Sequence, residues 1–205
     1  MRVDWRERYE RAAARYAAGE TRDLDERQLV QLANSAWAAG LSLLMAGDRE
    51  SAAEWLRRAA ERYRESWDRG ASREAWGRPI GAMKALLIAG DDATETAQWT
   101  LETCLGARHR GVSVSAIGRY AEAVALLVVG RDAEAAEVVA ALGDDFPVDV
   151  ADALSALAGH DSARYAAAVD SVRRSFEERD AFLEDVPVPD TALALDVLAA
   201  RRGLV

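Results

Sequence analysis

Residues 31–67, QLANSAWAAGLSLLMAGDRESAAEWLRRAAERYRESW, read as two amphipathic helices joined by a tight turn at Gly47 and Asp48. In the second helix Ala52, Leu56, Ala59 and Tyr63 recur at offsets of 0, 4, 7 and 11, which places them on one face of a 3.6-residue helix. The opposite face is charged. Glu54 precedes Arg58 in the favourable order and Arg57 precedes Glu61 in the weaker one, pairs worth about 0.3 kcal/mol each. This is a solvated face. The first helix carries two apolar stripes: Leu29, Leu32, Ala36, Gly40 and Leu43 on one side, and Val30, Trp37, Leu41 and Met45 around Asn34 on the other. A helix apolar on both sides has to be covered on both. One stripe can meet the partner helix of its own hairpin, so the other needs a neighbouring repeat or an external ligand.

The turn of this hairpin recurs along the chain, as LLMAGDRE at 43–50, LLIAGDDA at 86–93, LLVVGRDA at 126–133 and ALAGHDS at 156–162. Each joins a helix end to a glycine suited to positive φ and an acidic cap for the next helix. The glycines are irregularly spaced. Gly77 and Pro79 should kink or restart the helix that begins near Ser72, and the ninth helix should run from Ser162 to Phe182 into an extended joint at 186–189. The expected architecture is all-α, with about ten helices in stacked antiparallel hairpins, as an α-solenoid or a compact α–α superhelix. It forms a single helical-repeat domain, 1–205: a capping helix in 1–20, hairpins at 24–70, 72–107, 112–142 and 147–184, and a last capping helix at 189–203.

Half the residues are apolar and the net charge is −9. The charge is uneven, with 7 basic against 17 acidic residues in 120–205 and 7 against 5 in 69–119. An acidic chain repels phosphate backbones, which argues against nucleic acid as a partner. The one cysteine, Cys104, rules out an intramolecular disulfide framework and is expected to pack as a small hydrophobe. The opening MRVDWRERYERAA has no apolar signal core, and the longest apolar run, 123–129, is too short to span a bilayer. A cytoplasmic protein without membrane contact is the expectation.

In the first hairpin, Gly40, the turn at Gly47-Asp48, and then Ala52, Leu56 and Ala59 match the small and large positions of the tetratricopeptide repeat in order and spacing, so this hairpin resembles that family. It departs from the pattern at Trp37, one residue late, at Ala39 where leucine is usual, and at Arg64 in place of the closing proline. About one fifth of the chain carries the resemblance well. The ending DTALALDVLAARRGL also looks similar to the last helix of some helical immunity proteins of bacterial toxin systems. If the hairpins stack as in tetratricopeptide arrays, the first helix of each lines a concave groove. That places Asn34, Trp37, Leu41 and Met45 beside Trp76, Ile80, Lys84 and Tyr120. Aromatic and methionine side chains with a few polar groups suit capture of a protein or peptide. The bland alternative is that the array closes and these residues are core.

No enzyme chemistry is expected. His109 and His160 stand in no metal-ligand spacing, the run Gly111-Val-Ser113-Val-Ser115 lacks the final glycine of a nucleophile elbow, and no glycine-rich phosphate loop exists. Neither a metal nor a cofactor is therefore expected. A second candidate is Arg108, His109 and Arg110 with Arg119, a basic stretch at a helix start that suits an anion. The leading reading is a non-catalytic scaffold for a protein or peptide partner. The alternatives are a small-molecule or anion-binding regulatory domain and a self-associating module, a homodimer formed through the apolar stripe.

Overall fold

A computed structural model describes residues 3–20, 23–72, 74–106 and 115–205, with the side chains of 103 and 104 outside the description. Among the described residues the fold is all-α, ten α-helices with no strand. No helix among them is long and apolar enough to cross a membrane. The helices form two compact units, residues 1–91 with 180–188 and residues 92–179 with 189–205.

The first unit holds α1 (Trp5–Gly19), α2 (Glu26–Met45), α3 (Arg49–Asp68) and α4 (Gly77–Ala89), each packed on the next. Asp25 opens α2 with a capping box: its carboxylate accepts from the backbone of Arg27 and Gln28, while the Gln28 side chain accepts from the Asp25 N–H. Asp48 caps α3 on Ser51 N. Gly40 lets α2 and α3 meet closely, since a Cβ there would lie 2.7 Å from Leu56 Cγ. The Tyr63 hydroxyl donates to Asn34 Oδ1 at 2.8 Å across the same seam. The expected break before Pro79 is a restart. α4 begins only at Gly77, so Pro79 stands in its first turn, where the missing N–H is harmless.

The second unit holds α5 (Thr94–Trp99), a π-helical turn (Thr100–Leu105), α6 (Ala116–Val128), α7 (Asp132–Ala140), α8 (Val148–Ala158), α9 (Ser162–Glu177) and α10 (Asp190–Arg201). α5 to α9 pack in sequence and α10 lies on α8 and α9. Leu127, Leu154, Leu157, Tyr165, Leu195 and Leu198 are fully buried, and the Tyr165 hydroxyl donates to Asp196 Oδ1 at 2.9 Å. The unit boundary at Asp91–Asp92 falls inside the expected hairpin 72–107, with α4 packing on α3 and α5 on α6.

The four repeated turns share one hydrogen-bond pattern: the residue after the turn donates back five positions, Asp48 to Leu43, Asp91 to Leu86, Arg131 to Leu126 and Asp161 to Ala156. Gly47, Gly90 and Gly130 take the left-handed position with φ of 86°, 84° and 74°. In the fourth turn His160 takes it, at φ 54°, so the expected role of Gly159 belongs to the next residue. α9 stops at Glu177, short of the expected Phe182. From Asp180 the chain joins the first unit through a short 3-10 turn at Leu183–Asp185, with Val186 and Val188 buried.

Candidate functional site

α1 presents two unlike faces. Tyr9 and Tyr16 set their rings edge-on to Trp55 of α3, with centroids 6.1 and 5.3 Å apart, and Ala12 and Tyr16 are buried. Arg8, Arg11 and Arg15, at helical offsets of 0, 3 and 7, share a different face. Between that face and residues 180–187 lies a cleft of about 420 Å³, with Ala38 of α2 in its wall.

The 180–187 segment enters the cleft as a carboxylate-bearing stretch of irregular backbone. Arg15 Nη2 lies 2.8 Å from Glu184 Oε2, and Arg8 Nη1 donates to the backbone carbonyl of Asp185. Arg11 is 59% exposed and reaches Glu7 Oε1 only at 3.9 Å. Asp180 completes the acidic lining. Glu184 and Asp185 both adopt left-handed backbone, φ 55° and 58°, a conformation disfavoured for side chains with a Cβ. The turn they make aims the Glu184 carboxylate at Arg15 and the Asp185 carbonyl at Arg8. Guanidinium groups in this register can hold carboxylates through charge-assisted hydrogen bonds.

The stripe expected to line an open groove is core instead. Trp37, Leu41, Trp76 and Ile80 are buried, Trp37 at 3% exposure, and Lys84 is buried with its Nζ 5.6 Å from the Trp37 ring centroid. Asn34 is half-buried on Tyr63, and only Met45 of the set is exposed. The physical reason is that α2 is flanked by α1, α3 and the 183–185 turn, which use both of its apolar sides. Tyr120 belongs to the second unit and packs on Phe146, centroids 5.4 Å apart. Of the expected anion site, Arg108, His109 and Arg110 lie outside the described residues, as does the side chain of Cys104. Arg119 stands in the first turn of α6.

A second charged constellation sits in the second unit. The Arg202 side chain is 8% exposed. Its Nη2 donates to Asp132 Oδ1 and to the Leu127 carbonyl at 2.6 Å, and its Nη1 to the Leu198 carbonyl at 3.1 Å. His160 Nε2 lies 2.8 Å from Asp132 Oδ2. Burial pushes the Asp132 carboxyl up, but hydrogen bonding and charge from Arg202, then from His160, together outweigh it and hold the carboxyl below its ordinary range. These contacts tie α6, α7, the α8–α9 turn and α10 together. They make a structural latch. Among the described residues no group of three or more His, Cys, Asp or Glu side chains is placed to hold a metal ion.

No family model, curated protein or solved structure matches the chain. The arginine face is therefore interpreted from its own chemistry. Its spacing was visible in the sequence at 8, 11 and 15, but its acidic counterpart, some 170 residues away, carried no periodic signal.

Proposed function

We propose that this protein is a non-catalytic helical-repeat module that binds a partner protein through an acidic peptide segment laid along Arg8, Arg11 and Arg15 of α1. The observation that carries this reading is the chain's own acidic segment, docked on that face by the Arg15–Glu184 ion pair and the Arg8–Asp185 hydrogen bond. Arg11 supports it further, because it stands exposed in the same cleft and its contact to Glu7 is long, at 3.9 Å. The tetratricopeptide-like pattern of the α2–α3 hairpin points towards partner binding as well.

The test is fluorescence anisotropy with a labelled peptide of sequence DAFLEDVP, the composition of residues 180–187, titrated with the full chain. Binding should weaken roughly tenfold or more in Arg11→Glu, and also with rising salt. A peptide with asparagine and glutamine in place of its acidic residues should lose the interaction. Equal binding of the acidic and neutral peptides refutes the proposal. No peptide binding, together with binding of inorganic phosphate at millimolar concentration in a calorimetric titration that Arg11→Glu abolishes, would assign the face to a small anion instead.

A further inference from the structure

A second cleft meets the one beside Arg8 at the same ion pair. The second, of about 440 Å³, is lined by Arg15, Ala18 and Gly19 of α1, by Gln28, Gln31, Leu32 and Ser35 of α2, and by Glu184. Arg15 and Glu184 thus line both clefts, and their 2.8 Å contact stands between them. Both clefts follow the α1–α2 seam. With the Glu184 side chain withdrawn, Arg15 alone of that pair stands between them.

That segment is an imperfect occupant. Its ion pair is solvated, with Arg15 49% and Glu184 25% exposed, so it contributes little holding power. Two consecutive residues, Glu184 and Asp185, are held in left-handed backbone that neither favours. Leu183 is 53% exposed and leaves its apolar surface in water. Val186 and Val188, in contrast, are buried at 5% and 2%. The segment is anchored at its valine end and strained where it meets the arginines. Strain confined to the part that covers a charged groove is what a replaceable cover requires.

We propose, resting on the reading of the arginine face as an acidic-peptide site, that residues 180–185 are a displaceable internal ligand: a partner's acidic segment takes the place of Glu184 on Arg15, and Val186 and Val188 remain seated. Cover and partner compete for one face, so the affinity for the partner is set by how well the cover holds. Two substitutions push this competition in opposite directions. Glu184→Gln removes the cover's charged contact with Arg15, weak as that contact is, and leaves the guanidinium open to the peptide. Asp185→Gly relieves one left-handed position yet keeps the backbone carbonyl that Arg8 uses, so it tightens the cover.

The experiment is the same anisotropy titration with labelled DAFLEDVP on the full-length wild type and the two variants, with circular dichroism to confirm folding. Glu184→Gln should bind about fivefold tighter than wild type and Asp185→Gly about threefold weaker. Hydrogen exchange on the wild type gives a readout that needs no variant: the amides of Asp185 and Val186, which donate to Phe182 and Leu183, should lose protection when the peptide is added. If Arg11→Glu abolishes binding while both cover variants match wild type and the amides stay protected, the displaceable cover is overturned and the arginine site stands. If neither wild type nor Glu184→Gln binds the peptide, both proposals fall together.

Discussion

Replacing Arg202 by methionine removes the centre of the second unit's latch and keeps most of the apolar stem. The side chain is 8% exposed and its partner Asp132 20% exposed, so water compensates little of what is lost. Removing one member of a buried pair costs about 3–5 kcal/mol, because the other charge is left unpaired. Here the lower end applies: Asp132 keeps His160 at 2.8 Å, and the Leu127 carbonyl still accepts from the Gly130 N–H. The expected loss is about 3 kcal/mol, a fall in melting temperature of roughly 6–12 °C for a chain of this size. Urea unfolding followed by far-ultraviolet circular dichroism measures it. The double variant Arg202→Met with Asp132→Asn should recover much of the loss, since no buried charge then stands alone, giving a coupling of about 2 kcal/mol. A cost under about 1 kcal/mol for Arg202→Met, or additive single costs within about 0.5 kcal/mol, would refute the latch. The same pair sets a pH dependence. The Asp132 carboxyl is held below its ordinary value in the folded protein, so the unfolded chain takes up the proton first. Its contribution is present above the ordinary carboxylate range and is lost as pH falls through the lower folded value. The gap in urea midpoint between wild type and Asp132→Asn should therefore be wide at neutral pH and close under acid conditions.

Three further outcomes follow from the packing. A Cβ at Gly81 would meet the Tyr63 ring at 2.7–3.0 Å, so Gly81→Ala should lose about 1 kcal/mol, the overpacking cost less the helix-propensity gain, while Gly77→Ala, open to space, should stay within about 0.5 kcal/mol; urea midpoints of the two variants separate these effects, and equal values would contradict the contact. Trp37→Glu should unfold the first unit, which holds Trp5, Trp37, Trp55, Trp67 and Trp76, and shift tryptophan emission to the red; a folded variant would show the stripe to be accessible after all. Arg57 holds Asp91 by two hydrogen bonds of 2.7 and 2.9 Å but is 48% exposed, so Arg57→Ala should change thermal stability by less than about 1 kcal/mol, and the change should shrink with added salt.

The helices were legible because their apolar residues repeat at helical spacing and because four turns carry the same punctuation. Where the signal was local, as at Asp48, Gly47, Gly90 and Gly130, sequence and structure agree to the residue. His160 shows the limit: the motif's hydrogen bonds fix the left-handed position, and the letter glycine, at 159, is only its usual marker. Which face of α2 meets solvent was not legible, since two stripes on one helix demand two covers without naming them. The end of α9 and the cover over α1 escaped for a related reason. Residues 178–185 are charged and aperiodic, and their backbone is set by a docking surface distant in sequence.

The return of residues 180–188 to the first unit also fixes an order in time. α1 to α4 are complete once Asp91 has been made, but their cover lies beyond the whole stretch 92–179. At about 5–20 residues per second, translating that stretch takes roughly 4–18 s. For that interval residues 180–185, which meet Arg8 and Arg15 in the finished chain, have not been made. On the proposed reading, an acidic partner that arrives during synthesis meets the face before its cover exists, whereas one that arrives afterwards meets a face already covered.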